Sequence, residues 1–416
     1  MKTLYFDIKQ LINPIKKHGM SGLEIMDDAA FLVEDGVIHE AGKKSELLAK
    51  NPDVKKISLH NQTVLPGFID SHTHPVFWKT REAEFEMRLQ GKSYEEIAAA
   101  GGGIRNSVRA LREASEDELF DISLERTAKF LEYGTTTIEA KSGYGLSFDD
   151  EVKSLRVIQR LNKESALELH PTFLGAHEVP DEYRSDKNKY IDIIINEMIP
   201  YVAEEKLAVY CDIFCEKGVF EIDESERILE AAKKHGLIPR LHADELFPLG
   251  GAELAAKVGA VSADHLLQVS DDGIQALKTK NVIATLLPGT AFFIRKMNYA
   301  PARKLIDAGC KVALATDFNP GSSFTQNLQF IMSLSCLNMG MLPDEVINAV
   351  TKHAAAAVNS SDRIGRIDTG YQADFVTMDI PNYQYLVYNY AINHATSVYK
   401  KGELVFQGHE KERSEG

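Results

Sequence analysis

His72 and His74 stand one residue apart in Asp70-Ser71-His72-Thr73-His74, directly after the apolar run Val64-Leu65-Pro66-Gly67-Phe68-Ile69. The run reads as a short buried strand. Side chains on extended backbone repeat every second residue, so both imidazoles leave the strand end in one direction. Two nitrogen donors there are half of a divalent metal site. His242 offers a third nitrogen and Asp317 an oxygen. A catalytic ion needs a few protein ligands and an open position, and it lowers the pKa of bound water towards roughly 7. Such chemistry also needs a proton shuttle and a group that stabilises a developing oxyanion. Glu245, just past His242, suits the first role as general base and acid, and His265 suits the second.

These residues gain weight from where they fall. The middle of the chain alternates strand-like runs with helical patterns, the mark of parallel α/β structure. After the first run come 135–140, 169–174, 210–214, 238–242, 260–264, 282–287 and 312–317. That is about eight strands, the number that closes a (β/α)8 barrel of TIM type. Nearly every run ends in an ionisable or glycine-rich signal, among them Lys141 to Gly145, Gly175-Ala176-His177, His242 to Glu245, Asp264-His265 and Asp317 to Ser323. In a parallel barrel those ends share one face, which carries the active site. Ser93-Tyr94-Glu95-Glu96 and Ser115-Glu116-Asp117-Glu118 fit capping boxes, and helical patterns cover 225–235 and 251–258.

Both ends of the chain are rich in strand signals. Asp35-Gly36 lies between Phe31-Leu32-Val33 and Val37-Ile38, and Lys401-Gly402 precedes Leu404-Val405-Phe406. Each is a hairpin signal. The expected organisation is a small β-sandwich domain built from residues 1–63 plus 369–416, flanking a barrel domain over 64–368. The polar tail after Gly408 reads as frayed.

The chain has 416 residues, 44% of them hydrophobic, enough for a large core. Its net charge of −14 speaks against nucleic acid and against an anionic membrane surface as partners. The 4 cysteines, Cys211, Cys215, Cys310 and Cys336, form no paired framework and fit a reducing compartment. Cys211 and Cys215 share a strand face and read as core thiols. Residues 1–17 lack the pattern of a signal peptide, and no apolar run is long enough to span a bilayer. A soluble cytoplasmic protein is expected. A lone histidine is usually just hydrogen-bonded, and His18, His39, His60, His170, His235, His353, His394 and His409 stay in that class.

The set His72, His74, His242 with Glu245, His265 and Asp317 resembles the amidohydrolase superfamily, metal-dependent hydrolases on a distorted barrel with a small flanking β domain. Longer motifs cover nearly the whole chain and are similar to the imidazolonepropionase family. They include Leu89-Gln90-Gly91-Lys92-Ser93-Tyr94, Glu139 to Leu146, Phe173 to His177, His242-Ala243-Asp244-Glu245 with Pro248 to Leu254, and Ala315 to Ser322. The resemblance implies ring opening of 4-imidazolone-5-propanoate by water, giving N-formimino-L-glutamate in histidine degradation. It implies one zinc or iron ion (Zn2+ or Fe2+/Fe3+) per chain, held by His72, His74, His242 and Asp317, and a homodimer. Glu245 carries over as the acid–base and His265 as the partner of the reacting oxygen. Substrate contacts carry over to Arg81, Tyr144, His177, Asn319, Gly321 and Ser322, with Tyr94 adding a hydroxyl.

The residue chemistry agrees with that transfer. Arg81 offers a bidentate fork to a carboxylate, its plain alternative being an ion pair with Glu82 or Glu84. Tyr144 lies between glycines, and Gly101 to Gly103 read as a mobile loop near the site. The stretch Pro75 to Thr80 departs from the family pattern, so the pocket wall is expected to differ there. Three other readings remain at this point: a related deaminase acting on an amino-substituted heterocycle, a two-metal enzyme bridged by a carboxylated Lys141, and a non-catalytic scaffold.

Overall fold

The apolar run at 64–69 is two strands rather than one. β4 (Lys55–Pro66) ends where β5 (Phe68–Asp70) begins, and Gly67 makes the step between them. The Gly67 N–H donates to the Asp374 carbonyl at 2.9 Å. A Cβ at this position would land on the Thr136 side chain, so only glycine allows the approach. The chain passes there from one sheet to another. The computed structural model describes residues 2–15, 19–92, 96–97 and 101–408.

The second sheet is an eight-stranded parallel barrel in sequential order. After β5 come β6 (Thr135–Lys141), β7 (Glu168–Ala176), β8 (Tyr210–Cys215), β9 (Ile238–Ala243), β10 (Ser262–His265), β11 (Ile283–Leu286) and β12 (Val312–Leu314). Each matches an expected run to within a few residues. Helices return the chain between them. The Glu116–Glu132 helix starts at the expected Ser115–Glu118 capping box. The Ile222–Lys234 helix starts earlier than its pattern, at Glu221. The capping pattern at Ser93 lies outside the described residues.

β5 and β12 meet just beyond their ends. Thr73 and Phe318 form a parallel bridge, with Asp317 N–H donating to His72 O at 3.1 Å and His74 N–H to Phe318 O at 2.8 Å. Below this seam the buried Asp70 carboxylate accepts from Thr316 N–H at 3.1 Å and Thr316 Oγ1 at 2.6 Å. Burial pushes the Asp70 carboxyl up to about 7.

The first sheet joins both ends of the chain. It adds β1 (Lys2–Pro14), β2 (Leu23–Glu34), β3 (Val37–Lys43), β13 (Phe375–Met378), β14 (Ala395–Lys400) and β15 (Glu403–Gln407) to β4. Its order is β15-β14-β13-β4-β1-β2-β3. β2 and β13 lie three strand spacings apart, about 14 Å in a flat sheet. The Phe31 and Phe375 rings on them are 4.9 Å apart, and Tyr5 and Tyr399 are 5.7 Å apart. The two layers of the sandwich are therefore halves of one sheet folded over an aromatic core. A short helix, Lys44–Lys50, was not legible in the sequence and buries Leu47 beneath the sheet.

Cys211, Cys215 and Cys310 are buried free thiols. Among the described residues no helix is long and apolar enough to cross a membrane.

Candidate active site

The barrel's seam and two further strand ends converge on one point. His72 and His74 leave β5 with their Nε2 atoms 3.3 Å apart. Asp317 follows β12 and holds Oδ1 3.5 Å from His72 Nε2 and 3.4 Å from His74 Nε2. The ring of His242, on β9, lies 4.6 Å from that of His72 and 5.6 Å from that of His74. His265, closing β10, is 5.2 Å from His242. All five are buried. Asp317 and His265 take left-handed backbone, with φ of 52° and 75°, which turns their side chains inward at the strand end.

Electrostatics favour ligand-ready side chains. Burial, with Lys141 next, holds His72 well below the usual imidazole value, and burial also lowers His74. Burial opposes the charge of Asp317 too, but a hydrogen bond from His74 and nearby His265 outweigh it and bring the carboxyl to about 2. His72 Nδ1 lies 2.7 Å from Asp264 Oδ2 and donates there, so its Nε2 is a bare lone pair. That lone pair faces a carboxylate oxygen and a second imidazole nitrogen. The donor set of imidazoles plus carboxylate suits a cation there. The donor atoms of His72, His74 and Asp317 lie within 4.8 Å of one another, as do those of His72, His242 and His265.

Glu245 reaches the same point from the loop after β9, its Oε2 3.5 Å from His265 Nε2. The residues on either side of it are pinned. Asp244 accepts backbone N–H groups of Leu249, Gly250, Gly251 and Ala252 at 2.9–3.0 Å. Leu246 N–H donates to Glu216 Oε2 at 2.8 Å.

Tyr144 sits on a turn wrapped around the buried Glu151 carboxylate, which accepts N–H groups of Gly143, Gly145 and Leu146. His177 lies 2.9 Å from Gly143 O through Nδ1, and its ring stacks on His74 at 5.2 Å and 20°. Tyr144 is 6.0 Å from His74. Asn319 shapes its turn by accepting from Gly321 N–H and Ser322 N–H, both at 2.8 Å. Arg81 is paired with Glu84, through Nε at 2.9 Å and Nη2 at 2.6 Å, while Nη1 lies against Gly321. The plain alternative for Arg81 is thus realised, and beside the site rather than away from it. Tyr94 lies outside the described residues.

The unusual stretch Pro75 to Thr80 begins in the core. Val76 and Phe77 are buried, and the Arg126 guanidinium sits 3.6 Å from the Phe77 ring centroid. Lys141 is an ammonium between Glu139 Oε1 at 2.8 Å and Asp212 Oδ2 at 2.7 Å. Doubly paired in this way, Lys141 is held between two buried carboxylates of the barrel lumen. Asp212, Asp264, Glu151 and Glu84 support the site; in the sequence Asp264 was noted only as a strand end and Glu84 only as a partner for Arg81, and Asp212 and Glu151 were not picked out. Their one signal there was a carboxylate inside or beside an otherwise apolar element.

Comparison with known proteins gives the same direction. The model of the amidohydrolase family matches residues 63–405. Imidazolonepropionase of Geobacillus sp. strain WCH70 is 49% identical over 396 residues, covering 94% of this chain and 93% of that one. Imidazolonepropionase of Clostridium tetani is 47% identical over 390 residues, covering 93% of both. The chain belongs to the imidazolonepropionase family. Solved structures share this family member's fold. Guanine deaminase from C. acetobutylicum, with bound guanine, superposes with a TM-score of 0.74 at 17% identity, over 98% of this chain and 100% of that one. Adenosine deaminase from Xanthomonas campestris, with bound zinc, gives 0.73 at 18%, over 97% and 92%. At such identities the likeness is one of fold. The expected family and the expected barrel with its small terminal β domain are both borne out.

Proposed function

We propose that this chain, as an imidazolonepropionase, hydrolyses the cyclic amide of 4-imidazolone-5-propanoate to N-formimino-L-glutamate in histidine degradation. It is a hydrolase of carbon–nitrogen bonds. His72, His74, His242 and Asp317 would hold one zinc or iron ion per chain. Bound there, the ion supplies an acidified water and polarises the ring carbonyl. Glu245 accepts a proton from the attacking water as its oxygen bonds to the carbonyl carbon. His265 donates to the oxygen on which charge develops. The ring C–N bond then breaks, the nitrogen leaves with the proton returned by Glu245, and the former carbonyl carbon ends as a carboxylate.

Arg81 binds the propionate, with Tyr144, His177 and the Asn319–Gly321–Ser322 turn forming the rest of the pocket. Tyr94 adds a hydroxyl. The domain division is 1–66 plus 369–416 around a barrel at 67–368, the first boundary lying past the expected 63 because β4 runs through Pro66 in the terminal sheet. The protein works as a cytoplasmic homodimer on a small molecule, without nucleic acid or membrane as partner. The observation that supports the mechanism is that His72 shares one donor group with His74 and Asp317 and another with His242 and His265, with Glu245 beside His265.

The test is an absorbance assay on freshly made imidazolone propionate, with and without a chelator. Expected is metal-dependent loss of the ring chromophore with formiminoglutamate as product. Ammonia release with the ring intact would assign a deaminase instead. No turnover by folded, metal-loaded protein would overturn the substrate.

A further inference from the structure

Beneath the proposed ligands the barrel lumen is charged, where parallel barrels usually stack branched apolar side chains. Glu139, Lys141, Asp212, Arg240 and Asp264 are all completely buried. They form one connected layer. Asp264 Oδ2 accepts from His72 Nδ1 at 2.7 Å and from Arg240 Nη2 at 3.2 Å. Asp212 Oδ2 lies 3.1 Å from His242 Nδ1 and 2.7 Å from Lys141 Nζ. Glu139 holds Lys141 with one oxygen, and with the other it accepts at 3.2 Å from the N–H of Thr73, between the two β5 histidines. Arg240 also donates to Ser71 O at 2.7 Å and Ala357 O at 2.8 Å.

Stability does not explain this layer, because an apolar lumen of equal volume would be at least as stable. Its pattern does have a use. Each of two imidazoles has its own carboxylate, and each carboxylate has its own cation. A neutral imidazole that donates Nδ1–H to a carboxylate must present a bare Nε2. His72 Nε2 is the atom that faces His74 and Asp317. The two pairs differ in quality. His72–Asp264 is a full hydrogen bond, whereas the His242–Asp212 contact is close but poorly aligned. His74 has no such support, for its buried Nδ1 has no hydrogen-bond partner among the described residues.

On the reading of His72 and His242 as metal ligands, we propose that Asp264 and Asp212 are positioning residues. They fix the tautomer and ring plane of those two histidines, and Arg240 and Lys141 lock the carboxylates in place. The layer acts on metal affinity first and on turnover through it. Asp264 carries more of the effect than Asp212.

The experiment measures zinc dissociation constants at equilibrium in chelator buffers, on the full chain. The proteins are wild type, Asp264→Asn, Asp212→Asn and His72→Ala. Support partners of this kind change affinity 10–100-fold. Asp264→Asn is expected to weaken zinc binding by about that factor, and Asp212→Asn by less. The visible spectrum of the cobalt-loaded protein should shift with Asp264→Asn, because the ligand ring turns. A merely structural carboxylate would lower the melting temperature of the metal-free protein and leave both readouts alone. Unchanged zinc affinity and an unchanged cobalt spectrum in folded Asp264→Asn overturn the proposal. Unchanged affinity in His72→Ala instead overturns the ligand reading itself. Should Asp264→Asn not fold, Arg240→Lys carries the test. It keeps the charge but not the fork, and unchanged zinc affinity there also overturns the proposal.

Discussion

Gly321→Ala adds one carbon where the candidate site has no room for it. Gly321 does not use left-handed backbone, so alanine brings no main-chain strain. Its Cβ would fall on Arg81 Nη1. Arg81 cannot simply step aside, because Nε and Nη2 are bonded to Glu84, and Glu84 is bonded in turn to Gly103 N–H at 3.1 Å and Asn106 Nδ2 at 3.3 Å. The guanidinium must tilt, and its free edge leaves the position a substrate carboxylate needs. Losing one charge-assisted hydrogen bond costs about 1.5–3 kcal/mol, or roughly 10- to 150-fold in affinity. The expected result is a KM raised by that factor with kcat within a few-fold of wild type, since Glu245 and His265 sit on other strand ends. Steady-state loss of ring absorbance measures both constants. A KM within twofold of wild type, with kcat reduced instead, would refute the placement of the carboxylate at Arg81.

Glu245→Gln should retain the metal and lose about 10²- to 10⁴-fold in turnover, read by metal analysis beside the same assay; near-normal turnover would remove Glu245 from the mechanism. Glu168 ties β7 to Lys400 at 2.8 Å and to Arg363. Burial pushes its carboxyl up, but His170, Arg363 and Lys400 outweigh that and hold it well below the usual range. Its stabilisation is therefore full above the ordinary carboxylate value of about 4.5 and is lost as pH falls below it. Glu168→Gln should cost roughly 3 kcal/mol near neutral pH and flatten the acid limb of the melting temperature, and an acid limb as steep as wild type would count against it. Gly67→Ala should destabilise by about 1–3 kcal/mol through overlap with Thr136, seen as a lower urea midpoint.

The strands were legible because apolar runs ending in polar residues survive in a single sequence. The ligand candidates were legible because His72 and His74 repeat with the strand period. The support beneath them was not. In β8 attention falls on Cys211 and Cys215, which share one face, while Asp212 on the opposite face meets Lys141 and His242. A carboxylate in an apolar strand gives no hint of its partner when that partner lies on another strand. The break at Gly67 was hidden for a related reason. Hydrophobic pattern is continuous across it, and only the close pass of Thr136 shows why β4 must stop. The folded-over terminal sheet was seen as strands but not as one sheet, since its curl is set by the aromatic contacts of Tyr5, Phe31 and Phe375.

The seam between Thr73 and Phe318 sets an order of events during synthesis. β5 emerges early, yet its second neighbour is the last barrel segment to be made. Until Phe318 leaves the ribosome, β5 is an open parallel edge, the kind of surface that invites pairing with other chains. Closing it joins residues very far apart in the chain, which makes closure a slow step. The candidate site is assembled by that same step, because His72, His74 and Asp317 lie on its two lips. A growing chain can therefore have most of its strands paired and still be inert, gaining its chemistry only when the ring is shut.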